Sequence, residues 1–262
     1  MNTCTSNNGH VTTALLLAAG TGSRLYPLTQ SEPKCMTMVN GKSILERMVS
    51  SLHDHGFKRL VIVTGHLENC IRKFLGDRVG GMKIEYIFSP LYKTTNNIYS
   101  LWMAREAVKE PFLLLESDLV YDKSLLDEML YPDRIAVARI QPWMNGTCVT
   151  MNQLKMVEKF IVGKTEFIGN DKYKTVNIYS FSMKSWEKIK SKLDRKIASG
   201  IVNEYYETVF ADLVAEGHLT FKAVTFDHKP WYEIDTLEDL TEAEKLFPCR
   251  QHQTAQVINV AQ

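Results

Sequence analysis

Apolar positions along the chain change their rhythm near residue 130. Before it, short runs that are apolar throughout alternate with longer runs in which apolar residues recur every three or four positions. "TALLLAA", "RLVIVTG" and "PFLLLESDLV" are of the first kind and predict strands covered on both faces, with "MKIEYIFS" as a further strand. "SILERMVSSLHDHG", "LENCIRKFLGD" and "NIYSLWMAREAVK" are of the second kind and predict helices, the first closed by Gly56 as a C-cap. Strand and helix in alternation predict a parallel sheet flanked by helices.

Beyond residue 130 the runs shorten and alternate. "RIAVARI", "GTCVTMN", "MVEKFIVG" and "YKTVNIYSFS" predict antiparallel strands packed on one side. "MKSWEKIKSKLDRKIAS" and "YYETVFADLVAEG" predict helices, "LTFKAVTFD" a strand and "TLEDLTEAEKLF" a last helix. There is no internal repeat and no linker rich in Pro, Gly or Ser. The expectation is one α/β domain over 13–247, its halves (13–130 and 131–247) sharing a mixed, mostly parallel sheet with a smaller antiparallel part. Residues 1–12 and 248–262, polar and without period, are expected to be loose.

Composition narrows the function classes. The chain has 262 residues, ample for a real core, and a net charge of +1 argues against a general grip on nucleic acid. Five scattered cysteines without a CxxC pair predict neither a disulfide framework nor a zinc site, and favour a cytoplasmic setting. No apolar run approaches the roughly 20 residues of a membrane span, and the N-terminus lacks the pattern of a signal peptide.

The candidate chemistry begins at "LLLAAGTGSRLYPLTQSEPKCM". Ala18, Ala19, Gly20, Thr21, Gly22 and Ser23 leave the first strand at the carboxyl edge of a parallel sheet, where ligands bind. Glycines there let backbone N–H groups approach an anion, Arg24 adds a forked donor and Lys34 a compact charge. A tight turn followed by two solvated cations is the plainer alternative. GxGxxG fails at Leu25, and the P-loop spacing is absent.

The longer string L-A-A-G-x-G-S-R-L, with Pro33-Lys34 after it, resembles the signature of the sugar-phosphate nucleotidyltransferase superfamily. The resemblance runs over roughly 13–247. "YKTTNNIYSLWMA", "FLLLESDLVYD", "YETVFADL" and "WYEIDTLEDL" are most similar to the bacterial branch that uses CTP, which includes phosphocholine and 2-aminoethylphosphonate cytidylyltransferases. The resemblance implies a Rossmann-like nucleotidyltransferase fold that joins a nucleoside monophosphate to a small phosphorylated or phosphonate acceptor. It implies Arg24 on the outer phosphates, Lys34 on the α-phosphate, and Asp118 with Asp235 holding catalytic Mg²⁺. From the residues alone, Asp118 is equally a strand-end turn residue and Asp235 an N-cap. Glu116 is assigned to the strand face opposite Asp118.

Asn97 and Ser100, three apart on one helical face, suit the edge of a pyrimidine and match the family's base pocket, though Asn96 or Asn97 also suits a helix cap. Aromatics crowd the second half, with acids among the later ones. Trp143, Tyr179, Tyr206 and Trp231 are expected walls, and Glu207 the charge partner, of a pocket for an amine-bearing acceptor, phosphocholine in the first place. Core packing is the alternative for each aromatic. Transfer to a sugar-1-phosphate and a non-catalytic nucleotide-binding module are the competing functions. A homodimer is left open.

Overall fold

The computed structural model describes residues 9–141, 144–163 and 171–248. In chain order its strands are β1 (Thr13–Ala18), β2 (Met38–Val39), β3 (Lys42–Ser43), β4 (Arg59–Thr64), β5 (Arg78–Val79), β6 (Met82–Phe88), β7 (Phe112–Glu116), β8 (Leu119–Tyr121), β9 (Arg134–Arg139), β10 (Cys148–Met151), β11 (Val157–Ile161), β12 (Lys172–Phe181), β13 (Lys222–Thr225) and β14 (Trp231–Glu233). The α-helices are α1 (Ile44–Asp54), α2 (Glu68–Leu75), α3 (Asn97–Met103), α4 (Met183–Ala198), α5 (Glu207–Ala215) and α6 (Leu237–Leu246).

The uniformly apolar runs form the centre of one sheet. β1 pairs in parallel with β4 on one edge and β7 on the other, and β4 pairs in parallel with β6. Because side chains alternate across a strand, one set of residues packs on each face. Ala14, Leu16, Leu60 and Ile62 enter one core, and Leu15, Leu17, Val61 and Val63 the other. β1 therefore sits where neighbouring connections diverge, at a crevice beyond the carboxyl ends of the strands.

The second half attaches through β12, which is antiparallel to β7 near its end and to β10 near its start. β9 follows its other edge, with a register shift between Thr175 and Tyr179, and β13 pairs in parallel with β9. The two halves thus share a sheet.

Several boundaries differ from expectation. "PFLLLESDLV" is two strands, because the chain turns at Ser117–Asp118 and β8 leaves the main sheet to pair antiparallel with β14. β14 itself was not foreseen, being three residues long. The helix expected over 97–109 ends at Met103. Residues 9–12 are tied down rather than loose: Val11 is buried and donates to the Leu130 carbonyl, and the Thr12 carbonyl accepts from Lys58 N. The remaining residues expected to be loose, 1–8 and 249–262, lie outside the described residues, while Pro248 is described without helix or strand. No described helix is long and apolar enough to cross a membrane.

Candidate active site

A cavity of about 820 Å³ opens at the carboxyl ends of β1 and β7 and extends towards β12 and α5. Ala19, Gly20, Gly22 and Ser23 line its rim. Gly22 has φ +64°, and a Cβ added there would stand 3.0 Å from both Lys34 Cβ and Thr29 Cγ2. A residue with a side chain would therefore push Lys34 away, so the glycine admits a cation as well as a turn. Three short 3-10 turns between Ser23 and Met36 then return the chain, delivering Lys34 just after Pro33.

Lys34 Nζ donates to Asp118 Oδ2 at 2.7 Å and to Asp235 Oδ1 at 2.6 Å. Arg24 Nη2 donates to the same Asp235 oxygen at 2.8 Å. Burial works against the charge on Lys34, but attraction to Asp118 and Asp235 outweighs it and holds the ammonium above its ordinary range. Arg24 is 64% exposed and Lys34 only 14%, so one cation stands at the mouth and the other in the floor.

The convergence of aspartates 117 residues apart has a backbone cause. β14 runs beside β8 with Glu233 opposite Leu119, and Ile234 N donates to the Asp118 carbonyl at 2.9 Å. Asp235 follows at once, before the α6 cap. That cap is Thr236, in a capping box with Asp239; the Asp239 carboxylate also accepts from Asp235 N. Asp118 accordingly sits in a turn and not on a strand, and Asp235 is not itself the cap.

Asp118 Oδ1 is buried without a hydrogen-bond partner among the described residues. Two carboxylates, one with an unsatisfied oxygen, fit a hard divalent cation such as Mg²⁺, which takes one or two carboxylates and completes its shell from phosphate and water. No group of three or more His, Cys, Asp or Glu among the described residues is placed to hold a metal without such help.

Deeper in, the lining is acidic. Glu116, Glu207 and Glu233 all reach the cavity, with Lys174 beside them. Glu116 was expected on the far face from Asp118; residues two apart on a strand share a face, and its carboxylate lies close enough to feel that of Asp118. Burial first, then Asp118 and Glu207, push its carboxyl well above the usual range. Burial likewise pushes Glu207 up to about 7, against the attraction of Lys174. Glu207 Oε2 has no hydrogen-bond partner among the described residues, although the residue is only 5% exposed. Glu233 is also raised, by burial, with Lys174 opposing.

Asn97 and Ser100 line the cavity, and Asn96 caps α3 through a bond from Asn97 N. The Asn97 amide is committed at both ends: it donates to Glu116 and accepts from Tyr206 N. Ala18 and Thr21 are not among the lining residues. Tyr179 and Tyr206 require correction as pocket walls. Both are fully buried in an aromatic cluster with Phe181, Phe210 and Phe221, and stand behind the cavity beside Glu207. Trp231 lines only a side recess of about 140 Å³ next to Asp235. Trp143 lies outside the described residues.

Lys174, Asn177, Glu116 and Glu233 were missed as site residues. The signal for Lys174 was a lysine inside the otherwise strand-like "YKTVNIYSF", since a lysine is rarely fully buried without a partner.

Residues 13–137 match the family model described as Nucleotidyl transferase. Over 251 residues the chain is 31% identical to CMP-5'-(3-aminopropyl)phosphonate synthase of Streptomyces rubellomurinus, covering 92% of this chain and 40% of that protein. The chain thus spans well under half the length of that relative. It is 24% identical to choline-phosphate cytidylyltransferase of Streptococcus pneumoniae, over 89% of this chain and 97% of that one. The solved CTP:phosphocholine cytidylyltransferase from Streptococcus pneumoniae superposes with a TM-score of 0.79 at 24% identity, covering 91% of this chain and 99% of the other. The inositol-1-phosphate CTP transferase from T. maritima does so with a TM-score of 0.74 at 21% identity, covering 92% and 96%.

Proposed function

We propose that this chain, whose residues 13–137 match the nucleotidyl transferase family model, moves CMP from CTP to a small amine-bearing phosphonate or phosphate, releasing pyrophosphate. The observation that carries the reading is Lys34 seated between Asp118 and Asp235, with Arg24 on the latter. CTP as donor draws its support from the relatives named for CMP and CTP chemistry.

The reaction is one in-line displacement. An ionised oxygen of the acceptor attacks the α-phosphorus, the bond to the bridging oxygen breaks, and pyrophosphate departs with the electron pair. Two anions must meet, so positioning and charge neutralisation are the main tasks of the protein. Arg24, exposed at the mouth, takes the outer phosphates. Lys34 turns from its aspartates to the α-phosphate, where negative charge grows. Asp118 and Asp235 are the residues that would hold Mg²⁺, which when bound supplies further neutralisation of phosphate oxygens. No residue of the chain forms a covalent bond to the substrate.

The acidic floor supports a cationic acceptor. A primary ammonium has three N–H donors, and Glu207 offers a buried oxygen without a partner among the described residues. The first reading is therefore a primary amine, and the relative named for a CMP-linked aminopropylphosphonate favours an aminoalkylphosphonate. Phosphocholine, favoured by the sequence, is the second: a quaternary ammonium is held by aromatic faces, and with Tyr179 and Tyr206 enclosed in the core only Tyr92 and Tyr205 among the described aromatics line the cavity. The test is pyrophosphate release from CTP and from UTP with 2-aminoethylphosphonate, 3-aminopropylphosphonate, phosphocholine, phosphoethanolamine and glucose-1-phosphate in parallel. Turnover with CTP and an aminoalkylphosphonate is expected; turnover only with the sugar phosphate, or none with any acceptor, removes the reading.

A further inference from the structure

One backbone anomaly lies on the cavity wall. Asn177, in the middle of β12, has φ +58°, the left-handed region that most L residues avoid and asparagine tolerates better than most. It falls inside the register shift between β12 and β9, and such bulges commonly re-aim a side chain beside an active site. Glycine would adopt this conformation without strain, yet the chain keeps an amide there, lining the cavity. The amide is oriented. Its Oδ1 lies 3.1 Å from the Thr175 hydroxyl, and Nδ2 faces Glu233 Oε1 at 3.4 Å, a long contact that leaves the donor under-used.

Lys174 enters the same wall three residues earlier. Its Nζ donates to the Thr175 carbonyl at 2.6 Å and pairs with Glu233 at 3.2 Å, which leaves one of three ammonium donors without a partner among the described residues. Gly146, φ +103°, lies over it: a Cβ there would stand 3.4 Å from Lys174 Cε and 3.5 Å from Nζ. The missing side chain keeps the approach to the ammonium open from the cavity, and Gly146 and Lys174 both line it.

We infer that Asn177 and Lys174 form the subsite for the anionic end of the acceptor, an amide and an ammonium donating to phosphonate or phosphate oxygens while Glu207 takes the amine. This deepens the proposed function and rests on it. Lys174 has a second duty: by neutralising Glu233 it leaves an acceptor oxygen facing one fewer free carboxylate, next to Asp235. The acceptor then lies along the wall with its oxygen toward Lys34 and its nitrogen toward α5. Compounds with an anion and no amine, such as methylphosphonate, are the probe that isolates this end.

The experiment uses the full chain and two variants. Asn177→Gly suits the backbone at that position, so its thermal midpoint is expected to equal or exceed that of the parent. Lys174→Gln strips Glu233 of its partner, and its midpoint is expected to fall. Methylphosphonate affinity, read by calorimetry with CTP present, is expected to drop about tenfold or more in each, as for loss of a charge-assisted hydrogen bond, with CTP affinity held within about twofold. The acceptor KM is expected to rise similarly in Asn177→Gly, with kcat little changed. Undiminished methylphosphonate affinity in Asn177→Gly, or no binding to the parent chain at all, overturns the subsite. If the parent releases pyrophosphate and Asn177→Gly keeps its acceptor KM, the subsite fails and the CMP-transfer reading stands. If the parent binds methylphosphonate through these residues and releases no pyrophosphate, the transfer reading fails and the subsite stands.

Discussion

The two ends of the cavity treat charge in opposite ways. At the glycine turn, two cations meet two aspartates and every ionic group has a partner: Lys34 bonds both carboxylates and Arg24 one. On the β12 and α5 side, three carboxylates line the cavity beside one lysine, which pairs with Glu233, and Glu207 keeps an oxygen without a partner among the described residues while nearly excluded from water. The first arrangement is charge-balanced, with only Asp118 Oδ1 left over among the described residues, until a substrate arrives and exchanges partners. The second is short of a positive charge, and a ligand that brings one relieves it. An end that is balanced can accept either sign by exchange; an end short of positive charge favours a ligand that carries an ammonium, whatever else that ligand carries.

The comparison breaks most visibly at Lys34. Lys34→Ala is expected to remove about 3–4 kcal/mol of transition-state stabilisation, some hundredfold to thousandfold in kcat, by analogy with loss of one preorganised donor to a developing oxyanion. Stopped-flow or steady-state pyrophosphate release reads it, and near-normal turnover ends its assigned role. Next in size is Asp118→Asn, which keeps the shape and removes half of the carboxylate pair. A shift of the Mg²⁺ titration midpoint by about tenfold or more is expected, read by calorimetry as well as by rate.

Glu207→Gln tests the unbalanced end. Its KM for an aminoalkylphosphonate is expected to rise about tenfold, with CTP unaffected, since one ion-paired hydrogen bond is lost. Stability should move the other way. The folded carboxyl sits near 7 against an ordinary 4.5, so the native state resists its ionisation. The stabilisation present below about 4.5 is lost as pH rises towards 7, by up to a few kcal/mol. Denaturation of the parent at pH 5 and pH 8, compared with Glu207→Gln, should show a loss in the parent that the variant lacks. A parallel pH response in both would remove Glu207 from the account. The smallest effect is expected from Thr236→Ala, which opens the α6 capping box for about 1 kcal/mol of stability, with a modest fall in rate through Asp235.

Where the sequence was legible, one physical signal sufficed. Uniform apolar runs such as "TALLLAA" and "RLVIVTG" are long enough to be buried on both faces, and they became β1 and β4. The amphipathic runs "SILERMVSSLHDHG" and "MKSWEKIKSKLDRKIAS" predicted helices, and they became α1 and α4, each capped by a serine that periodicity alone did not single out. Short elements gave no such signal. β14 has three residues and no period, so the step that brings Asp235 to Asp118 was invisible although both aspartates were singled out. Tyr179 and Tyr206 misled because composition counts rings and says nothing of which way they face. Glu116 was misplaced by a parity slip that a period of two forbids. Asn177 was out of reach, since asparagine tolerates the left-handed region anywhere and only the neighbouring ladder decides that it is used inside this strand.

The small ladder of β8 and β14 has a consequence for motion. Ile234 N holds the Asp118 carbonyl, so both candidate metal carboxylates ride on one three-residue hairpin-like strip outside the main sheet. Fraying of that strip would release both aspartates together, and amide exchange at Ile234 would report how often the protein loses its grip on a divalent ion while its large sheet stays closed.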